Sequence, residues 1–304
     1  MSELNVVTGA FGYTGKYVAR RLLSMGIRVK TITGHPDRPS PFGGEVAVAP
    51  FNFDDPPALV KELSGASTLY NTYWIRFSRG EVTFERAIEN TRTLINCARD
   101  AGVNRVVHIS ITNPTKESAL SYFRGKGIVE EIIKDSGLSY AILRPTVIFG
   151  IEDILVNNIA WLLRRFPMFF VLGSGNYRLQ PVFVEDLAEL AVTAGNQEDN
   201  VTMDAAGPDI YTFDEFLELV SEKLGRKPRL VHMPPKLALF LSQLAGHVIG
   251  DVVLTRDEVA GLMADLLISQ EPPKGRTSLS DWLGANAELI GMRYTSELAR
   301  HYRR

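Results

Sequence analysis

A chain of 304 residues, 45% hydrophobic and 22% charged, can build one large α/β domain and a smaller lobe around a core that needs no staples, which excludes the disordered and fibrous classes. Its net charge of -2, with basic residues spread along the chain, excludes a protein that gathers phosphate backbone without sequence preference, so nucleic acid is not an expected partner. The single cysteine, Cys97, rules out an internal disulfide and fits a reducing compartment; with no export signal ahead of the first strand-like segment, the expectation is a cytoplasmic chain.

Leu4 to Val7 suits a buried strand, and Thr14 to Met25 then carries apolar residues at helical spacing. A second strand is expected over Arg28 to Thr33, followed by a Pro/Gly loop from Gly34 to Gly44, a third strand near Glu45 to Ala49 and a fourth over Thr68 to Thr72. Phe84, Ala87, Ile88, Thr91, Leu94, Ile95 and Ala98 mark one face of a long helix, and Val106 to Ile109 reads as a fully buried fifth strand. A helix from about Leu120 to Lys134 stops before Ser136 and Gly137, where glycine takes the left-handed cap, and Tyr140 to Leu143 enters Pro145 as the sixth strand. Such alternation calls for a parallel sheet with helices on both faces. After Gly150 it weakens into mixed helices and short strands. The longest apolar stretch of this half lies between Leu237 and Leu254, where Ser242, Gln243, Gly246, His247 and Asp251 interrupt it, and its apolar residues Leu237, Phe240, Leu241, Leu244, Ala245, Val248 and Ile249 keep helical spacing. The stretch is too polar to span a membrane, and a buried amphipathic helix is expected, with a lipid-facing or pocket-lining role as the alternative.

Thr8-Gly9-Ala10-Phe11-Gly12-Tyr13-Thr14-Gly15 sets glycines at GxxGxxG spacing directly between the first strand and helix. The first permits the tight turn, the second lets backbone approach a pyrophosphate, and the third lets the helix sit close on the strand, while the helix N-terminus adds amides and a positive dipole end. This assigns residues 1–150 to a dinucleotide-binding domain, with a return segment near 180–210, and residues 151–304 to a smaller substrate or partner lobe. An acid closing the second strand would accept from the ribose 2′-hydroxyl of NAD. None stands there: Thr33, His35 and Arg38 are placed to meet a 2′-phosphate, with Asp37 alongside, so the reading leans to NADP over NAD, the alternative being a solvated loop.

Ser110 closes the fifth strand, and open parallel sheets bind ligands at their strand C-termini. Tyr122 and Lys126, four apart, share a helical face, where an ammonium favours the phenolate and equips the tyrosine to exchange a proton with a carbonyl or carbinol. Ser110 would then hold the substrate oxygen. The five histidines have no cysteine or carboxylate companions at metal-ligand spacing, so no metal is expected. His108 shares the face of Ser110 and reads as structural and hydrogen-bonded, and Cys97 as a buried inert thiol. Trp161 to Leu172 either packs the small lobe, the favoured reading, or lines an apolar pocket. Asp281 to Gly284 reads as a packed helix end and Arg300 to Arg304 as a solvated basic tail.

These residues together resemble the short-chain dehydrogenase/reductase superfamily, in its extended and atypical epimerase/dehydratase-like branches. The glycine turn, Asn71 after the fourth strand, Ser110, the Tyr122 and Lys126 pair, Arg144-Pro145-Thr146 through Gly150, the segment Gln180 to Ala188 and Ala206-Gly207-Pro208 follow that family's order, covering roughly residues 1–225. The resemblance implies a Rossmann-like doubly wound sheet, NAD(P)(H) as cofactor and Ser110, Tyr122 and Lys126 as the proton-handling set, with Lys126 also on the nicotinamide ribose. It further implies cofactor contacts from Phe11, Tyr13, Thr14, Asn71 and Pro145. Two departures stand out. Asn52 replaces the aspartate that many relatives use toward the adenine, and Phe51 and Phe53 beside it read as core. The short interval from Ser110 to Tyr122 suggests the atypical branch, similar to the NAD(P)H-binding accessory subunit of respiratory complex I. Three functions follow: an NAD(P)-dependent oxidoreductase on a small, apolar substrate, which is preferred; a sugar-nucleotide-type epimerase or dehydratase; and a non-catalytic NAD(P)H-binding structural or regulatory protein. Homo-oligomerisation is left open.

Overall fold

The computed structural model describes residues 3–252 and 254–301, so Tyr302 to Arg304, the end of the expected basic tail, lie outside the described residues. The chain forms two compact units, residues 1–145 with 184–205, and residues 146–183 with 206–304.

In the first unit the order is β1 (Leu4–Thr8), α1 (Tyr13–Ser24), β2 (Arg28–Thr33), β3 (Val46–Pro50), α2 (Pro56–Leu63), β4 (Thr68–Asn71), α3 (Phe84–Asp100), β5 (Arg105–Ile109), α4 (Ser121–Lys134) and β6 (Ser139–Pro145). The second unit begins with β7 (Val147–Phe149), α5 (Leu155–Arg165), β8 (Met168–Leu172), β9 (Arg178–Leu179) and β10 (Pro181–Phe183). The chain then adds α6 (Val184–Gly195) and β11 (Val201–Ala205) to the first unit, and completes the second with β12 (Tyr211–Thr212), α7 (Phe213–Lys223), β13 (Arg229–Met233), α8 (Pro235–Ile249), α9 (Arg256–Met263), α10 (Leu279–Asn286) and α11 (Glu297–His301).

Seven parallel strands order as β11-β6-β5-β4-β1-β2-β3. This is the doubly wound Rossmann-like sheet, and it reverses direction at β1 and β4, where such sheets bind ligands beyond the strand C-termini. Val6, Ile32, Leu69, Val106 and Ile142 project from one face into a core closed by Leu59 and Leu63 of α2, Leu94 and Ile95 of α3 and Val129 and Ile133 of α4. Because strand side chains alternate, Arg105 of β5 points to the other face, where its guanidinium donates to the Ala194 carbonyl at the end of α6.

Helix α2 and strand β11 are absent from the sequence reading. Asp55 caps α2, accepting from the Ala58 amide at 3.2 Å, and Pro56 and Pro57 occupy its first turn, where a missing N–H costs nothing. The helix expected over Leu237 to Ile249 forms as α8, Pro235–Ile249, but its residues Leu237 and Phe240 are exposed rather than buried. It ends at Ile249, where Gly250 turns left-handed at φ 70°. Among the described residues no helix is long and apolar enough to cross a membrane.

The second unit has its own core, in which Phe149, Val156, Leu163, Val171, Phe216, Leu217, Trp282 and Leu283 meet. Trp282 and Leu283 are packed as expected, but inside α10 rather than at a helix end. The expectation that Trp161 to Leu172 is core holds for Leu163 and Val171 and fails for Phe166, Met168 and Phe170, which are exposed. Within this unit β7 and β10 pair in parallel, and the Gln180 side chain donates to the Gly207 carbonyl at 2.8 Å.

Candidate functional site

At the end of β1, Gly9 adopts φ 65°, a left-handed conformation that favours glycine, and its amide donates to the Ile32 carbonyl at 2.9 Å. The Gly12 amide then donates to the Gly9 carbonyl at 2.8 Å, closing the turn, and Gly12 becomes the N-cap of α1. A Cβ on Gly15 would stand 2.4 Å from the Gly9 oxygen and 2.8 Å from its carbonyl carbon, so helix and strand meet there at backbone distance. No side chain caps α1 and its first turn carries no acid. Its amides and positive dipole end therefore fit a pyrophosphate. Phe11 and Tyr13 are half-buried around the turn, Phe11 against Phe42 with ring centroids 6.4 Å apart and Tyr13 edge-on to Tyr17 at 5.8 Å. Thr14 is also half-buried.

Beyond β2 the chain turns tightly. Thr33 is buried, with its hydroxyl accepting from the His35 amide at 3.1 Å, and the Arg38 amide donates to the His35 carbonyl at 3.2 Å. His35 and Arg38 stay half-exposed on this turn. Asn52 adopts φ 47°, and its carbonyl accepts from the Asp55 amide at 3.0 Å. Phe51 and Phe53 stack at 4.7 Å, and the Tyr73 ring meets Phe51 edge-on at 5.0 Å. Both phenylalanines pack against the sheet core.

Asn71 lies deeper than a ligand contact would suggest. It is fully buried; its side-chain oxygen accepts from the Thr8 hydroxyl at 3.2 Å and the Tyr73 amide at 3.1 Å. Its amide nitrogen therefore donates to Nδ1 of His108, 3.1 Å away. That bond places the imidazole hydrogen on Nε2, which is buried with no partner among the described residues. Burial, with Lys126 alongside, holds the His108 pKa well below the ordinary imidazole range, so it stays neutral.

His108 and Ser110 share a face of β5, the one covered by α4. Ser110 is almost completely buried and donates to Oε1 of Glu130 at 2.6 Å. Glu130 is buried too, and Arg144 grips it with both arms, Nε to Oε1 at 3.0 Å and a terminal nitrogen to Oε2 at 2.6 Å. Lys126 is buried four residues before Glu130, with Nζ donating to the Ile109 carbonyl at 2.7 Å and lying 4.9 Å from the centre of the Trp74 ring. Tyr122, half-buried one turn earlier, meets Trp74 and Phe84 edge-on at 6.1 Å each. A Cβ on Gly125 would strike the Trp74 ring at 2.8 Å, so this glycine lets the indole lie against α4. Pro145 is buried at the end of β6, its carbonyl accepting from the Thr112 amide at 2.9 Å.

The structure thus gathers Ser110 and Lys126 at the end of β5 with Tyr122 on the same helix as Lys126, but it commits the Ser110 proton to Glu130. Neither Glu130 nor Trp74 stands out in the sequence. A carboxylate on an amphipathic helix reads as solvated, and the available signal is its place on the buried stripe of Phe123, Lys126, Glu130 and Ile133. Two glycines inside one helix, Gly125 and Gly127, are the signal that something approaches closely.

Burial brings the Lys126 pKa down to about 7, offset in part by the charge of Glu130. The unfolded chain keeps the ordinary value, so between about pH 7 and pH 10 it binds one proton more than the folded chain at this residue. The Lys126 contribution to stability therefore rises with pH across that window, and below it the burial cost is constant. Denaturation of wild type and Lys126→Met from pH 7 to pH 9.5 should show the wild type gaining up to about 1.4 kcal/mol per pH unit relative to the variant. A difference that stays flat with pH would mean that the amine is solvated.

Residues 9–151 match the family model described as NAD(P)H-binding. The chain is 24% identical over 288 residues to the Arabidopsis thaliana mitochondrial protein NADH dehydrogenase (ubiquinone) 1 alpha subcomplex subunit 9, covering 88% of this chain and 71% of that one. It is 28% identical over 233 residues to ceramide reductase of Caulobacter vibrioides, covering 75% and 73% of the two chains. Among solved structures it shares its fold with the triphenylmethane reductase of Citrobacter sp. in complex with NADP(H), at a TM-score of 0.73, 20% identity, and coverage of 94% of this chain and 100% of that one. Among the described residues no group of three His, Cys, Asp or Glu side chains is arranged to hold a metal. Residues 9–151 are an NAD(P)H-binding domain on a Rossmann-like sheet, in a chain related to mitochondrial NADH dehydrogenase subunits and to ceramide reductase.

Proposed function

We propose that the chain is an NAD(P)H-dependent reductase of the atypical short-chain dehydrogenase/reductase type, acting on a small apolar carbonyl compound, with Tyr122 as proton donor. The observation that carries this reading is Lys126: an ionisable amine buried at the carboxyl end of β5, bonded to a carbonyl rather than ion-paired, one helical turn from a half-buried tyrosine. Bound NAD(P)H supplies the hydride. Tyr122 gives its phenolic proton to the substrate oxygen, and the charge of Lys126 lowers the cost of the phenolate left behind. Ser110 enters as a positioning residue, because its only hydroxyl hydrogen is on Glu130. NADP is the proposed preference, since Thr33, His35 and Arg38 line the turn after β2 with no acid closing that strand. The single buried cysteine suits a reducing compartment, for which the cytoplasm is proposed.

A second reading, a cofactor-holding subunit without turnover, draws on Tyr122 packing edge-on against Trp74, Phe84 and Phe123, and on the relationship to NADH dehydrogenase subunits. Following NADPH absorbance with ketone forms of ceramide-class lipids and with ubiquinone analogues, both apolar carbonyl compounds, separates the two. Tyr122→Phe should lower kcat by about 10²-fold while leaving the NADPH Kd within about twofold. Equal turnover by both proteins removes Tyr122 from the mechanism, and tight NADPH binding with no turnover on either lipid class favours the second reading.

A further inference from the structure

We propose that the second unit carries a contact face for an anionic lipid bilayer, formed by β8, β13 and the start of α8. The face begins with a two-stranded parallel sheet in which Arg229 pairs with Met168 and Val231 with Phe170. Alternation sends Phe169, Val171 and Leu230 inward to the core of this unit. The outer side is only half covered. At its carboxyl end Leu172 and Met233 pack against Ala238 of α8 and Val259 of α9, while at its amino end Met168 and Phe170 are 47% and 49% exposed. The helix that covers one end of this side turns two further apolar residues outward on one helical face, Leu237 at 48% and Phe240 at 57% exposure. Phe166, just before β8, is 50% exposed. Large apolar side chains rarely gather this way on a surface that meets only water.

The charge around them identifies the occupant. From residue 223 to residue 250 the sequence holds Lys223, Arg226, Lys227, Arg229 and Lys236 and not one Asp or Glu, in a chain whose net charge is -2. Among the described residues none of the five forms an ion pair, and all but Lys223 are exposed. Arg229 stands beside Met168 in the sheet register, and Lys236 directly precedes Leu237. Aromatic and aliphatic tips among uncompensated basic residues complement a layer of acyl chains below anionic headgroups. Since α8 runs only from Pro235 to Ile249, the contact lies on the membrane and does not cross it. The proposal is independent of turnover and of the nicotinamide site.

The test is flotation of the full chain with vesicles of phosphatidylcholine alone and of phosphatidylcholine with phosphatidylserine. Binding to the phosphatidylserine vesicles only, weakened by salt, is expected. Phe170→Asp and Phe240→Asp should each lower the partition coefficient by about tenfold, and Lys227→Glu or Arg229→Glu by at least about fivefold. Each variant replaces an exposed side chain, and an unchanged NADPH Kd and melting temperature certify its fold. Equal binding to both vesicle types, no binding to either, or binding indifferent to the Phe170 and Phe240 changes overturns the proposal. So does a size-exclusion shift from dimer to monomer in those variants without loss of flotation, which would assign the face to a second copy of the chain.

Discussion

Gly15→Ala is expected to abolish measurable NAD(P)H binding and to destabilise the first unit by about 1–3 kcal/mol. The new Cβ meets the Gly9 oxygen at 2.4 Å, the Gly9 carbonyl carbon at 2.8 Å and Ala10 Cα at 3.2 Å, all backbone atoms that no rotamer change can move. Relief must come from lifting α1 off β1 or opening the turn, and either displaces the helix-start amides. Losing two hydrogen bonds to a charged phosphate, at about 1.5–3 kcal/mol each, weakens affinity by about 10²- to 10⁴-fold. Gly12→Ala is the informative contrast. Its Cβ would lie 3.1 Å from the Gly9 oxygen and its φ of -84° suits any residue, so the fold should lose less than about 1 kcal/mol. If Gly12 is the point of closest approach to the pyrophosphate, its methyl group still occupies ligand space and binding falls without unfolding. Urea denaturation beside titration calorimetry with NADPH checks both. Wild-type affinity in Gly15→Ala would place the dinucleotide phosphates elsewhere.

The centre of the sheet was legible because β1, β4 and β5 are buried on both faces. Val6 and Val7, or Val106 and Val107, are consecutive apolar residues that only a central parallel strand accommodates. The glycine turn was legible because its three residues answer backbone requirements that a sequence displays. Helix α2 was hidden by its own N-terminal signal, since Pro56-Pro57 resembles a loop until Asp55 is seen as the cap. Strand β11, Val-Thr-Met-Asp-Ala, alternates too loosely to declare itself beside β6. At the site, position along the chain was readable and direction was not. Ser110 does close β5, yet which oxygen receives its proton depends on Glu130, twenty residues later. Asn71 does end β4, but the Thr8, Tyr73 and His108 contacts that occupy it come from three separate segments.

Glu130→Ala should cost about 3–5 kcal/mol, because it strips a buried carboxylate from a hydroxyl and a guanidinium that both depend on it. Glu130 is 2% exposed, but Arg144 is 27% exposed and gains water on its guanidinium when its two bonds to the carboxylate are lost. The lower end of that range is expected for this reason. Glu130→Gln keeps the volume and an oxygen for Ser110 but removes the charge that Arg144 grips, so its cost should fall between those of wild type and Glu130→Ala. Ser110→Ala tests the same network from the other side. Deleting a hydrogen bond to a charged acceptor predicts a loss of about 1.5–3 kcal/mol, and the double variant with Glu130→Ala should be less unstable than the two losses added together. If Ser110→Ala instead leaves denaturation unchanged and removes turnover, the serine serves the substrate and the bond to Glu130 is incidental. If stability falls by the expected amount and Glu130→Gln retains turnover, Ser110 belongs to the scaffold beneath Lys126, and proton delivery rests on Tyr122 alone.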